Sequence, residues 1–172
     1  NGNMTEMRFL DTEGKLTKGT LGYAKNVYTY DENGHLLTQR YYGLNDKLIL
    51  VDDIAGENYK RDARGNIIEE YSVGTDSKLA RGYLVVRRKF DEKDNMIEFA
   101  VFDADGRPET NNNDIHKYTQ KFNSRNQCVE TCYYNTNGSL TTYSGNTYCI
   151  VRREYNDRGL NTKVSYFDKN DN

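Results

Sequence analysis

The sequence predicts an all-β fold: an antiparallel meander of stacked β-hairpins with a repeat of about 32 residues, either elongated and solenoid-like or a single curved sheet. Three observations predict it. Turn signals such as YDENG, RDARG and YNDRG recur between short apolar-aromatic runs, and Asp or Asn followed by Gly between such runs is a strong local hairpin signal. The chain holds 15 Tyr, a residue that suits pleated, half-buried surfaces. Helical periodicity is hard to find, whereas runs such as HLLTQRYY and NIIEEYSV have strand length.

The first turn series runs through Gly34, Gly65, Asp94, Asn126 and Gly159, spaced by 31, 29, 32 and 33 residues. All five are residue types that tolerate positive φ. Four residues before them stand Tyr30, Arg61, Phe90, Phe122 and Tyr155. Three after stand Leu37, Ile68, Ile97, Val129 and Thr162, and eleven before stand Tyr23, Ile54, Tyr83, Ile115 and Tyr148. A second series interleaves at Gly14, Asp46, Ser77, Gly106, Gly138 and Asp171, preceded four residues earlier by Leu10, Tyr42, Val73, Phe102, Tyr134 and Phe167.

The gaps alternate at about 12 and about 20 residues. The shorter gap predicts one strand. The longer predicts a short strand, a small-residue kink such as Gly19 and Gly22, and a second strand. The array divides into repeats near 7–37, 38–68, 69–97, 98–129 and 130–162, with a partial repeat at 163–172. Such hairpins cannot bury their own faces, so neighbours must cover them. Aromatics four before each turn are expected to form a ladder on one sheet face. The opening NGNMTEMRFL carries no signal peptide, and neither end shows a polar cap. The sequence therefore reads as a segment of a longer repeat protein.

Composition sets limits. Leu, Ile, Val and Phe are roughly a fifth of the chain, near the disordered range. A net charge of only -2 and the many Tyr argue for an ordered, thinly cored protein. The balance of 24 basic and 26 acidic residues leaves no electrostatic footprint for nucleic acid. No apolar run reaches about 18 residues, so no membrane insertion is expected. Cys128 and Cys132 read as lying on one face of a strand about 13 Å apart, too far to bridge. Pairing of either with Cys149 stays open.

YTYDENGHLLT, FDADGRPET, YNDRGLNTK and YFDKND resemble the YD-repeat (RHS-like) family of bacterial surface and secreted proteins. The resemblance covers almost the whole chain through short motifs, although its period alternates where that family's is near twenty. It implies bacterial origin, an extracytoplasmic location (cell surface, secreted or periplasmic), and a shell or stalk role without catalysis. YYNTNGSL and YFDKND are also similar to the choline- and glucan-binding repeats of Gram-positive surface proteins, which build aromatic cages. Those cages usually use Trp, and this chain has none.

Chemical motifs are sparse. FDADGRPETNNND suggests a calcium loop, but Arg107 stands where an oxygen ligand is needed and the acidic residues serve as turn formers. No metal or cofactor is predicted. His35 and His116 occupy unrelated repeat positions, Cys128 stands where other repeats carry Leu36, Ile67 and Met96, and no catalytic motif appears, so no enzyme is expected. The basic runs VVRRKF and IVRREY suggest a cationic stripe, offset by Glu on neighbouring strands. Tyr exceeds what inward-facing positions need. Tyr41, Tyr42, Tyr133, Tyr134 and Tyr166 are the predicted binding surface. The expected function is a non-catalytic scaffold for protein interaction or adhesion, with carbohydrate binding by Tyr ladders and a structural stalk as alternatives. Exposed sheet edges are expected to allow self-association.

Overall fold

The computed structural model describes residues 2–172. Eleven strands form an antiparallel sheet in which neighbours follow chain order, so the sheet is a meander and does not close into a barrel. They are β1 (Glu6–Arg8), β2 (Lys25–Tyr30), β3 (Leu36–Tyr42), β4 (Gly56–Arg61), β5 (Ile67–Val73), β6 (Val85–Phe90), β7 (Met96–Phe102), β8 (Lys117–Phe122), β9 (Cys128–Tyr134), β10 (Ile150–Tyr155) and β11 (Asn161–Phe167). The described residues contain no helix. Two compact units divide the chain, one up to Val85 and one of Val86–Asn172.

The turns follow the residue types. All eleven residues of the two turn series have positive φ, from 59° at Asp46 to 92° at Gly65. In the β2–β3 turn, Asp31 Oδ1 accepts the N–H groups of Asn33 and His35 at 3.0 and 2.8 Å. Gly34 N–H donates to the Asp31 carbonyl at 3.1 Å. Asp62, Asp91, Asn123 and Asn156 repeat the side-chain pattern. Asx side chains thus close these turns.

Successive turns are also tied together. Within the first unit, Asn3 Nδ2 donates to Gly34 O at 2.9 Å. Within the second, Gln127 Nε2 donates to Gly159 O at 3.1 Å and Arg125 donates to Asp157 O at 2.9 Å. Partners 31 or 32 residues apart make these bonds the direct expression of the repeat.

The core lies where each long connection enters its strand. Ala24, Ala55, Ile115 and Cys149 are buried there, and Tyr23 is buried beside Ala24. The N–H groups of Ala24, Ala55, His116 and Cys149 donate to the carbonyls of Tyr42, Val73, Tyr134 and Phe167 at 2.6–2.9 Å. Repeat packs on repeat at this point, through the small Ala24 and Ala55 and the large Ile115 alike. The core is thin, as the composition predicts.

Three expectations change. The short strand of the long connection shrinks to an isolated bridge, as at Tyr42–Leu48 and Tyr134–Leu140. The reason is competition for one edge: the Tyr41 carbonyl accepts from Ile49, but the Tyr41 N–H already donates to Ala55 of the next repeat.

Second, the two aromatic series do not share a face. Tyr30 keeps the alternation of Tyr28 and Asn26, while Tyr42 lies opposite Lys25 on the other side of the sheet.

Third, the register shifts at Thr29/Tyr30, Lys60/Arg61, Lys121/Phe122 and Glu154/Tyr155 leave Leu37, Ile68, Val129 and Thr162 as extra residues. These β-bulges invert the alternation across them. Cys128 therefore contacts Thr131 Oγ1 and Arg153 Nη1, whereas Cys132 lies on the opposite face with Glu130. The three cysteines are free. Cys149 and Cys132 face opposite sides because Ile150, not Cys149, pairs with Cys132. Cys149 and Cys128 stand too far apart along the strands to bridge.

Candidate functional site

Strand alternation gives each unit one charged face and one aromatic face. In the second unit, the charged face is a closed network. Lys89 and Lys117 reach Glu98 at 2.8 and 3.8 Å, and Lys121 and Arg152 reach Glu130 at 2.6 and 2.8 Å. Lys121 first, and then Arg152, hold the Glu130 carboxyl below the usual carboxylate range. Lys117 lies over the Tyr134 ring at 4.9 Å, and Arg152 over Phe167 at 4.6 Å. In the first unit, Lys25 lies over Tyr42 at 4.7 Å and pairs with Asp46. On these faces the cations thus set their stems against rings or their heads on Glu or Asp.

The other face collects rings. In the first unit, Tyr23 contacts Phe9 and Tyr41 with centroids 5.3 and 5.1 Å apart. Tyr59 donates to Glu57 Oε2 at 2.7 Å, and burial, then this bond, pushes its hydroxyl far above the ordinary tyrosine range. In the second unit, Phe99 stacks on Tyr118 at 5.1 Å, Tyr118 meets Tyr133 edge-on at 6.5 Å, and Tyr133 stacks on Tyr143 at 4.7 Å. Tyr148 and Tyr166 form a tilted pair at 4.6 Å. Burial raises the Tyr118 and Tyr133 hydroxyls above their ordinary value.

The five predicted surface residues therefore do not make one surface. Tyr41 stands on the aromatic face of the first unit, with Tyr133 and Tyr166 on that of the second. Tyr42 and Tyr134 lie on the charged faces beneath lysines. Adjacent residues in a strand must split this way. Of the five, only Tyr166 is largely exposed, at 56%. Tyr133 is half-buried, with one side of its ring taken by Tyr143.

Sequence reasoning missed Tyr118, Tyr143 and Arg153, which converge on Tyr133. The signal for Arg153 lay in the run IVRREY, where alternation sends Arg152 and Arg153 to opposite faces.

Other candidates resolve into structure. Asp103 Oδ1 accepts from the N–H groups of Asp105 and Arg107, which is its turn role. Among the described residues no three His, Cys, Asp or Glu side chains are grouped to hold a metal ion. His116 is buried with Nδ1 2.8 Å from the Val101 carbonyl, and His35 Nδ1 lies 3.0 Å from Asp31 Oδ2 in its own turn. Among the described residues no helix is long and apolar enough to cross a membrane. No protein-family model matches the sequence, and no curated protein matches it.

Proposed function

We propose that this chain is a non-catalytic binding module of a bacterial surface or secreted protein, related in its hairpin repeats to the YD-repeat proteins, and that it holds a partner on its aromatic face. The observation that supports this reading is the division of labour between faces. On the charged face of the second unit, cations are matched by Glu98, Glu130 and by rings. The aromatic face offers half-buried Tyr rings with hydroxyls, the amphipathic side chains that serve contact surfaces best. An adhesion or protein-interaction scaffold is one form of this reading. A carbohydrate module is the other, favoured by the Tyr148–Tyr166 pair, in which one ring is open to solvent.

The test is a screen of the purified chain on a glycan array and on a panel of immobilised extracellular proteins, beside a folded Tyr133→Ala variant. Saturable binding that the variant loses supports the reading. Silence on both panels overturns it and leaves a structural spacer.

A further inference from the structure

The aromatic face of β8–β11 is built from Tyr118, Gln120 and Phe122 on β8, Thr131 and Tyr133 on β9, Val151, Arg153 and Tyr155 on β10, and Val164 and Tyr166 on β11, with Cys128 brought there by its bulge. Arg153 is the one charged side chain this register places on that face. Its Nη1 donates to Thr131 Oγ1 at 3.2 Å and lies 3.8 Å from Cys128 Sγ. Among the described residues no carboxylate lies within 4.0 Å of it. The neighbouring Arg152 shows the contrast, since it binds both Glu130 and Asp171 on the other face. A half-buried guanidinium with no counter-charge is costly to keep and is well placed to accept an external anion.

We infer that this face binds a uronic-acid residue of an acidic polysaccharide, with Arg153 taking the sugar carboxylate and the surrounding Tyr rings taking the pyranose. The inference rests on the aromatic face being a binding surface and names the class of ligand. Two observations favour a sugar over an acidic peptide. The groups around Arg153 are hydroxyls from Tyr133 and Thr131, and the Gln120 amide reaches the same Cys128 sulfur, a set that suits a polyhydroxylated ring. β9 and β10 are paired on both sides, so no peptide can add there as a strand. In the first unit, β4 and β5 put Glu57 and Glu70 on the corresponding face, so uronate binding belongs to the second unit.

The experiment titrates the intact chain with oligogalacturonate, an alginate oligomer and a hyaluronan oligomer, with methyl-esterified oligogalacturonate and poly-glutamate as comparisons. Saturable binding to at least one uronate is expected, weakened by salt. Arg153→Met should weaken it roughly ten- to hundred-fold, the loss of a charge-assisted hydrogen-bond set. Arg153→Lys should retain part of it, and Arg152→Met should leave it unchanged. No uronate binding, equal binding of the methyl ester, an unaffected Arg153→Met variant, or equal competition by poly-glutamate would each overturn the inference. Binding of neutral sugars or proteins that depends on Tyr133 but not on Arg153 would overturn it while leaving the general reading of the face intact.

Discussion

Replacing Phe122 by Tyr should stabilise the second unit. At three of the five first-series turns, the residue four before the turn reaches back to the carbonyl two residues after the equivalent turn one repeat earlier. Tyr30 Oη donates to Met4 O at 2.8 Å, and Tyr155 Oη to Cys128 O at 3.0 Å. Arg61 does the same with Nε to Leu36 O at 3.4 Å, so its departure from the aromatic pattern preserves the donor. Phe122 occupies the equivalent place, with Met96 two residues after the turn at Asp94, and has no donor. An open cleft of about 390 Å³ borders Phe122 and is lined also by Asp91, Asn95 and Asn126. A neutral hydrogen bond is worth about 1 kcal/mol net, so Phe122→Tyr should raise stability by about that amount and Tyr155→Phe should lower it equally. For a chain of this size, each shift is about 2–4 °C in Tm. Urea titration followed by circular dichroism reads the change as a moved midpoint at constant slope. If Phe122→Tyr is neutral or destabilising while Tyr155→Phe costs stability, repeat equivalence of these bonds is wrong.

Other outcomes follow from single positions. Asp52 and Asp53 both have positive φ, 48° and 68°, in a two-residue turn closed by reciprocal Val51–Ile54 bonds of 2.8 and 3.1 Å. Asn-Gly is the favoured pair there, and Asp52→Asn with Asp53→Gly should add about 1 kcal/mol in thermal melts. At Gly56, φ is 154° and an added Cβ would meet Gln39 O at 2.0 Å. Gly56→Ala must therefore part β3 from β4, at about 3 kcal/mol or more, visible as loss of soluble folded protein.

The Asp31, Asp91 and Asp168 carboxyls are held below their usual value of 3.8. The dominant causes are the His35 N–H, the Asn95 amide and the Asn170 N–H respectively. Because the folded values are the lower ones, this stabilisation is complete above about pH 4 and lost as pH falls further. Melting temperatures should drop as pH falls from about 4 to about 2, and an unchanged value at about pH 2 would contradict the turn chemistry.

Turn positions and strand class were legible because they depend on local residue types. Every residue from Gly14 to Asp171 picked out by turn chemistry has positive φ, since few residues accept that backbone and Gly, Asn and Asp lead them. Of the apolar positions eleven before the turns, Tyr23 and Ile115 are buried, whereas Tyr83 is exposed. Facing was not legible beyond the bulges. Val129 looks like one more apolar strand residue, yet as an extra residue it turns Cys128 away from the face of Cys132. The candidate site suffered most. Pairing Tyr133 with Tyr134 treated neighbours as one surface, although each strand step reverses the side. Tyr143 was missed because it lies in a connection and reaches Tyr133 only through the fold.

The most direct test of the account compares Tyr133→Ala with Tyr134→Ala, both checked for folding, against any ligand found for the intact chain. The two residues are adjacent in β9 and point to opposite faces, Tyr133 towards Tyr143 and Tyr134 towards Lys117. Binding is expected to be lost in Tyr133→Ala and kept in Tyr134→Ala. Loss in Tyr134→Ala with retention in Tyr133→Ala would place the binding surface on the charged face and contradict it.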